Sequence, residues 1–255
     1  ESATTCRNPK DMGVRPSTLA VTCRCCWPRL PPVAGNDPAA VERALLMVDQ
    51  AYEGSLWQPF FRSGNPEAAR QYTKDVLGSD MAAVYGELSP FSIVTMLSAV
   101  SAQPGQKYYD LGSGTGKTVL LAGLLGMVAT GIEIVEERAA ASQLALERLQ
   151  SQVGKQECAD IRLMHGNVLE ADFSDADLIY SCNLTWPEEV LQKLAQMVGR
   201  LRKGTVVVSS RLLEAPGLQL ATQLSLITNY DSNATMGVHV VTGQEDLSGR
   251  KTIPD

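Results

Sequence analysis

The sequence has no run of about 18 uninterrupted apolar residues, the length that a membrane-spanning helix requires. It also has no dense cluster of lysine and arginine, which nucleic-acid-binding proteins use to neutralise phosphates. The formal net charge is −6, and residues 38–255 carry 17 basic against 25 acidic side chains. We therefore expect a soluble, intracellular protein with no membrane span and with weak or absent direct nucleic-acid binding.

Cysteine and histidine are present but not in patterns that support metal binding. Four of the six cysteines, at positions 6, 23, 25 and 26, lack the two-residue gaps typical of zinc ligand pairs. His165 and His239 lie within predicted strands and have no partner pattern for metal or nucleophilic chemistry. The sequence thus predicts no metal site, and it indicates reduced thiols in a loose N-terminal segment.

The distribution of proline and of hydrophobic periods divides the chain into three parts. Residues 1–37 hold five of the 13 prolines and no sustained period, which is typical of an extended arm. Residues 38–102 read as a helical N-terminal subdomain or lid, with Asp37 as the N-cap of the first helix and further helices over 66–77 and within 89–102, the last capped by Ser89. Residues 103–255 form the main domain.

Apolar strands and amphipathic helices alternate in the main domain. Strands are predicted over 107–111, 128–134, 161–165, 176–181 and 204–209, with helices over 116–126, 136–153 and 187–200. The buried stripe of the 136–153 helix is predicted to be Ala141, Leu144, Ala145 and Leu149. Two β-rich runs near the C-terminus, separated by "DSN", predict a closing hairpin at the sheet edge. The order indicates an α/β fold with a mostly parallel sheet covered by helices on both faces.

The glycine-rich stretch "YYDLGSGTGKT", residues 108–118, follows the first predicted strand. A phosphate-binding P-loop would need glycine at position 111, which is Leu111, and the dinucleotide-binding pattern would need its third glycine at 117 rather than 116. The remaining pattern is Asp-Leu-Gly-x-Gly-x-Gly, with an acid, Glu133, ending the second predicted strand. Such a loop lets backbone N–H groups approach an anion, and the acid can accept both ribose hydroxyls. These features suit S-adenosylmethionine; the alternative is a glycine turn kept only for packing.

The segment "DLGSGTGK" resembles motif I of the class I, seven-stranded S-adenosylmethionine-dependent methyltransferases. A narrower resemblance covers residues 84 to 212, where "VYGELSPFSIVTML", "GIEIVEE", "HGNVLEADF", "LIYSCNLTW" and "GTVVVSS" are similar in order and spacing to the disruptor-of-telomeric-silencing family of histone lysine methyltransferases. This resemblance implies a Rossmann-like, seven-stranded, mostly parallel sheet with an antiparallel last strand. Residues 103–255 would be the S-adenosylmethionine-binding domain.

The resemblance also implies which residues hold the cofactor. A loop of Tyr85, Gly86 and Glu87 would lie over it. The implied cofactor-binding residues are Glu87, Asp110, Gly112, Ser113, Gly114, Gly116, Lys117, Glu133, Asn167 and Val168. Within this set, Asp110, Gly112 and Gly114 would hold the methionyl part and Glu133 the ribose, while Asn167 and Val168 would border the adenine. For Lys117 the alternative interpretation is a solvated residue in the first helical turn.

The implied catalytic residues are Asn183, Trp186 and Tyr85. The Asn183 amide oxygen would accept a hydrogen bond from the acceptor amine, and Trp186 would pack against the acceptor's alkyl stem. The alternatives are a turn role for Asn183 and a core role for Trp186. Cys182 replaces one of the family's paired asparagines and Leu184 the following aromatic residue, so the acceptor channel is expected to differ.

Three functions are compatible with these observations. The first is a protein lysine N-methyltransferase of the histone-directed type, which acts on a protein partner in the nucleus or, alternatively, on another protein in an organelle lumen. The second is a catalytically silent methyltransferase-like subunit of a larger complex. The third is a small-molecule methyltransferase, which would share the cofactor half and differ in the lid.

Overall fold

The computed structural model describes residues 30–53 and 66–243. The four N-terminal cysteines and most of the predicted arm lie outside these ranges. Within them the helices are α1 Pro38–Ala51, α2 Pro66–Leu77, α3 Pro90–Ala99, α4 Lys117–Leu124, α5 Glu136–Val153 and α6 Glu188–Val198, with two short 3₁₀ turns at Met81–Ala83 and Gln156–Cys158. No helix in the described part is long and apolar enough to cross a membrane.

The strands form one seven-stranded sheet in the order β3-β2-β1-β4-β5-β7-β6. They are β1 Lys107–Leu111, β2 Val128–Glu133, β3 Ile161–His165, β4 Leu178–Ser181, β5 Val206–Ser209, β6 Leu218–Leu226 and β7 Ala234–Val241. The first five strands pair in parallel, whereas β7 is antiparallel to both β5 and β6. The predicted fold class and the closing hairpin are confirmed. Because the order reverses between β1 and β4, a crevice opens there at the carboxyl ends of the strands.

Helices cover both faces of the sheet. Side chains of α1, α3, α4 and α5 share one core with alternate strand residues such as Tyr108 and Tyr180. On the opposite face, α6 packs against the strand residues whose side chains point the other way, such as Leu111 and Ile179. Strands buried on both faces are what the near-continuous apolar runs of the sequence predict for a parallel sheet.

Side-chain caps fix two of the N-terminal helices where the sequence predicts them. Asp37 Oδ1 accepts a hydrogen bond from Ala40 N at 2.6 Å, so α1 begins at Pro38. Ser89 Oγ accepts from Ser92 N at 3.2 Å, so α3 begins at Pro90. Each cap satisfies one of the unpaired N–H groups of a first helical turn.

Some details differ from the sequence-based predictions. β2 ends at Glu133 rather than at 134, and the helices predicted over 116–126 and 187–200 cover Lys117–Leu124 and Glu188–Val198. β4 and β5 each begin two residues later than predicted, because residues 173–176 and 202–205 form turns in which Ala176 N donates to Phe173 O and Thr205 N to Arg202 O. The buried face of α5 is also rotated. Ala145 and Leu149 are buried, but Ala141 and Leu144 are only half-buried; the remaining buried residues are Arg138, Ala139, Ser142 and Leu146.

Candidate active site

The glycine loop joins β1 to α4 at the reversal of the strand order. Gly112, Gly114 and Gly116 all adopt positive φ angles, of 85°, 56° and 85°. This backbone region favours glycine, since other residues are strained in it. Gly112 N and Ser113 N both donate to Ile132 O, at 2.8 and 3.0 Å, which fastens the loop to the end of β2.

Glu133 lies at the end of β2 and is only 4% exposed. Its Oε2 accepts a hydrogen bond from Gly114 N at 2.7 Å, and its Oε1 accepts from Val135 N at 2.8 Å. Each carboxylate oxygen has a second lone pair, so these two bonds orient the group and leave it able to accept hydroxyl hydrogens from a ligand.

Asp110 carries a buried oxygen that suits a bound cation. Its Oδ2 accepts a hydrogen bond from Thr118 Oγ1, whereas its Oδ1 has no partner within residues 30–53 and 66–243. Burial raises the pKa of Asp110 to about 7, with a smaller contribution from the charge of Glu133 and an opposing one from the Thr118 hydrogen bond. An unpaired buried carboxylate oxygen is costly, and a ligand ammonium would satisfy it.

Lys117 is buried, at 4% exposure, and its Nζ lies 2.8 Å from Glu87 Oε1. The alternative interpretation of this residue as a solvated lysine is therefore wrong. Glu87 Oε2 accepts a hydrogen bond from the Tyr85 hydroxyl at 2.6 Å, and that hydroxyl lies 2.9 Å from Thr115 Oγ1. This network holds the loop of residues 85–87 against the glycine loop.

Tyr85 is protonated at neutral pH. Burial, and then the charge of Glu87, raise the pKa of Tyr85 well above its ordinary value. Its ring packs on Gly114, and the guanidinium of Arg138 lies 5.0 Å from the ring centroid. Tyr85 is therefore suited to positioning Glu87 and covering the glycine loop rather than to accepting a proton.

We expect the buried Lys117–Glu87 pair to stabilise the fold measurably. The Lys117→Met variant leaves the Glu87 carboxylate, only 14% exposed, without its cationic partner, and should lower the free energy of unfolding by about 3 kcal/mol. The control is Lys107→Met, whose partner Asp175 is 49% exposed and whose loss should cost less than about 1 kcal/mol. Urea denaturation measures both; equal losses in the two variants would contradict the assignment.

Two connected clefts open beside these residues. The larger one has a volume of about 560 Å³, including the part open to solvent, and contains Glu133, Asn167, Val168 and Trp186 in its wall. The smaller one, of about 320 Å³, is lined by the polar and charged groups Glu87, Asp110, Lys117 and Thr118 and by Tyr180. Tyr85, Gly86, Gly112 and Cys182 line both clefts.

The clefts differ in character in a way that fits the two ends of S-adenosylmethionine. The small cleft offers the unpaired Asp110 oxygen to an ammonium and the Lys117 ammonium to a carboxylate, although Lys117 is already paired with Glu87. The large cleft offers Glu133 to ribose hydroxyls and an apolar wall, including Val168, to a flat ring. The residues present therefore fit this cofactor.

The sequence profile of the family described as "Histone methylation protein DOT1" matches residues 65–239, which is more than half of the chain. The chain belongs to the DOT1 family. Membership confirms the predicted family, its methyltransferase class and its cofactor, S-adenosylmethionine.

Two curated relatives of this DOT1-family chain are named for the methylation of a histone lysine. This chain is 30% identical over 145 residues to "Histone-lysine N-methyltransferase, H3 lysine-79 specific" of Candida albicans. The matched region covers 53% of this chain and 11% of the relative. This chain is 27% identical over 140 residues to the protein of that name from Debaryomyces hansenii, covering 51% and 12%. The chain thus matches about a tenth of the length of these relatives.

Solved structures similar to the DOT1-family chain include an RNA methyltransferase from Salinibacter ruber in complex with S-adenosyl-L-homocysteine. That structure is 23% identical, has a TM-score of 0.44, and covers 64% of this chain and 93% of its own. A methyltransferase from Thiobacillus denitrificans in complex with the same compound is 20% identical, with a TM-score of 0.39 and coverage of 48% of each chain.

Asn183 of the DOT1-family chain is not placed as predicted. It is fully buried, its Oδ1 accepts a hydrogen bond from Arg211 N at 2.9 Å, and it lines neither cleft. A backbone N–H can only donate, so the atom that faces Arg211 N is the amide oxygen, and this oxygen lies outside both clefts. The structure instead gives Asn183 a turn role, in which it holds the residues after β5. A turn role is the alternative interpretation of Asn183 that the sequence offers.

Trp186 lies in the larger cleft rather than wholly in the core. An added Cβ at Gly112 would be 2.8 Å from Trp186 Cζ2, so the indole covers the start of the glycine loop. Asn167 Oδ1 accepts a hydrogen bond from Leu169 N at 3.0 Å, which fixes the turn beneath the predicted adenine position.

Several residues that line the clefts of this DOT1-family chain were absent from the predicted set, among them Arg138, Tyr180 and Cys182. Tyr230, which contacts Cys182, was absent from it too. Cys182 and Tyr180 follow from the strand itself, because alternate residues at the end of β4 face the same side as Asp110. Tyr230 carries no local signal, since it approaches Cys182 from the turn between β6 and β7.

Proposed function

We propose that this chain is an S-adenosylmethionine-dependent protein lysine N-methyltransferase whose acceptor is a histone. The observation that carries the proposal is the unpaired, buried Asp110 Oδ1 beside the glycine loop of a DOT1-family chain. The names of the two curated relatives support H3 lysine-79 as the acceptor. A histone acceptor would also require a nuclear location, which cell fractionation can test.

The proposal includes a position for each ligand group. When bound, S-adenosylmethionine supplies an electrophilic methyl group. Asp110 would accept hydrogen bonds from its ammonium and Glu133 from the ribose hydroxyls, while Tyr85 and Trp186, which cover the glycine loop, would exclude water from it. Positioning of this kind, rather than covalent chemistry by the protein, is what an in-line transfer requires.

The surroundings of the clefts favour a protein over a small molecule as acceptor. Val84 in the wall of the larger cleft is 41% exposed, and Leu184, two residues after Cys182, is 44% exposed. A protein acceptor would cover these two side chains, whereas a small molecule held inside the cleft would leave them exposed. The excess of acidic side chains, which gives a net charge of −6, complements a basic partner such as a histone.

The test is transfer of a labelled methyl group from S-adenosylmethionine by the full chain to reconstituted nucleosomes. We expect label on histone H3 that disappears when lysine-79 of H3 is replaced by arginine, and at least a tenfold slower reaction with the Asp110→Asn variant. Label that persists after the replacement would reject that acceptor. Binding of S-adenosylhomocysteine without transfer to any histone would reject the histone proposal.

One observation favours a second candidate, a methyltransferase-like subunit without turnover. The Asn183 oxygen is engaged by Arg211 N, and Cys182 stands where the family pattern has an asparagine. A chain of this kind would bind the cofactor and copurify with a larger complex but would not accelerate transfer. Turnover by the isolated chain would exclude it.

A further inference from the structure

Tyr230 reaches from the protein surface to the junction of the two clefts. Its side chain is 44% exposed, yet its hydroxyl lies 3.8 Å from Cys182 Sγ. A Cβ added at Gly86 would be 2.7 Å from Tyr230 Cε1 and 3.2 Å from Cys182 Sγ, so the three residues are in close contact. Gly86 and Cys182 line both clefts, and the Tyr230 ring, which is not itself part of either lining, contacts both of these residues from the protein surface.

Hydrogen bonds attach the turn that contains Tyr230 to the loop of residues 85–87, which lies over the glycine motif. Asn229 N donates to Glu87 O at 3.0 Å, and Glu87 N donates to Asn229 Oδ1 at 2.9 Å. Ser89 N donates to Ile227 O at 2.8 Å. Three backbone N–H groups are satisfied across this junction, so the position of Tyr230 is set by the same loop that holds the Lys117–Glu87 pair.

The polar groups at the junction are uncharged. Burial raises the pKa of the Cys182 thiol, and burial followed by the proximity of Cys182 raises the pKa of the Tyr230 phenol. Both groups therefore stay protonated at neutral pH. They offer hydrogen bonds without a counter-charge, which suits a neutral amine better than an ammonium.

We propose that Tyr230 contacts and orients the acceptor amine, with its hydroxyl oxygen accepting a hydrogen bond from the neutral amine and its ring lying along the alkyl stem. Cys182 forms the adjoining wall. This inference rests on the proposed function, and it supplies the amine contact that the buried Asn183 oxygen does not provide.

The hydrogen bond serves the transfer by orientation. The nitrogen lone pair forms the new N–C bond as the carbon–sulfur bond breaks, and the electron pair of the broken bond stays on sulfur. The methylated nitrogen then carries a positive charge and loses a proton to solvent. Because the reaction is in line, a donor N–H fixed on Tyr230 directs the lone pair towards the methyl carbon.

A bisubstrate probe tests this contact without knowledge of the acceptor protein. The probe is an S-adenosylhomocysteine analogue that carries a short aminoalkyl chain at the position of the transferred methyl group. Calorimetric titration of the full chain at pH 8 with this probe and with S-adenosylhomocysteine gives the gain in affinity due to the chain. The variants are Tyr230→Phe and Tyr230→Ala, and Tyr72→Phe is the control, since Tyr72 is equally exposed, at 44%, and lies outside both clefts.

We expect Tyr230→Phe to reduce the gain from the aminoalkyl chain about three- to tenfold, because one hydrogen bond is lost. Tyr230→Ala should reduce it further. Tyr230→Phe, which keeps the ring against Gly86, and Tyr72→Phe should both bind S-adenosylhomocysteine as the wild type does. An unchanged gain in both Tyr230 variants would overturn the inference and leave the proposed function intact. A wild type that binds neither compound would overturn the proposed function and the inference with it.

Discussion

The Gly112→Arg variant should show no measurable binding of S-adenosylhomocysteine by isothermal titration calorimetry. Gly112 has a φ of +85° and lies in the wall of both clefts, and an added Cβ would already be 2.8 Å from Trp186 Cζ2. A long charged side chain at this position must either displace the indole or occupy the space between the clefts. Either outcome removes the site of the cofactor.

Gly105→Arg is the matched control for this loss. Gly105 has nearly the same backbone angle, φ +81°, but no atom lies within 4 Å of an added Cβ. Both variants therefore carry the backbone strain of a side chain in the left-handed region, and only Gly112→Arg adds a steric block. Binding retained by Gly112→Arg would show that the glycine loop does not contact the ligand, and equal loss in both variants would attribute the loss to backbone strain rather than to a steric block.

Asp110→Asn should weaken the binding of S-adenosylhomocysteine about ten- to hundredfold at pH 7.5. The unpaired Oδ1 is the predicted partner of the ligand ammonium, and a hydrogen bond to a charged group contributes about 1.5–3 kcal/mol. Calorimetry measures the change. Asp172→Asn, at a solvent-exposed carboxylate, is the control and should bind as the wild type does.

The pH dependence provides an independent readout of the same group. Because the pKa of Asp110 in the unliganded protein is about 7, ligand binding below pH 7 must first remove its proton. Wild-type affinity should then fall, by up to about tenfold per pH unit, between pH 7 and pH 5.5. The Asp110→Asn variant should show no such fall, and parallel pH profiles for the two proteins would contradict the assignment.

The raised pKa also has a predictable effect on stability. In the unfolded chain Asp110 titrates near its ordinary pKa of 3.8, whereas in the folded chain it does so at about 7. Between these values the folded state binds more protons, so its free energy of unfolding falls as pH rises through this window and levels off above pH 7. Urea denaturation of Asp110→Asn at several pH values should lack this component.

The cofactor half of the site is predictable because its signals are local in sequence. Parallel strands place their carboxyl ends at one edge of the sheet, so Asp110 after one apolar run and Glu133 after the next must lie close together. The glycines between them adopt positive φ angles, in which residues with a side chain are strained. The Gly114 N–Glu133 Oε2 bond is a direct product of this arrangement.

The acceptor half is less predictable because its contacts cross large sequence separations. Asn183 is engaged by Arg211, 28 residues later, and Cys182 contacts Tyr230, 48 residues later. The burial of Lys117 likewise depends on Glu87, 30 residues earlier. No periodicity or motif within either segment indicates such pairs, since they depend on how the β6–β7 hairpin and the 85–87 loop fold over the end of the sheet.

The reversal of strand order between β1 and β4 separates the residues proposed to bind the cofactor from those proposed to contact the acceptor amine along the chain. Residues up to Val168 form most of the proposed cofactor pocket, while residues from Tyr180 onward supply the junction with Tyr230. Cys182 and Trp186 lie in the cleft walls, whereas Tyr230 lines neither cleft, so substitutions at Tyr230 are the ones expected to change which amine is accepted at little cost to cofactor affinity. For protein engineering, libraries at Tyr230 would therefore explore acceptor preference while the walls of both clefts stay unchanged.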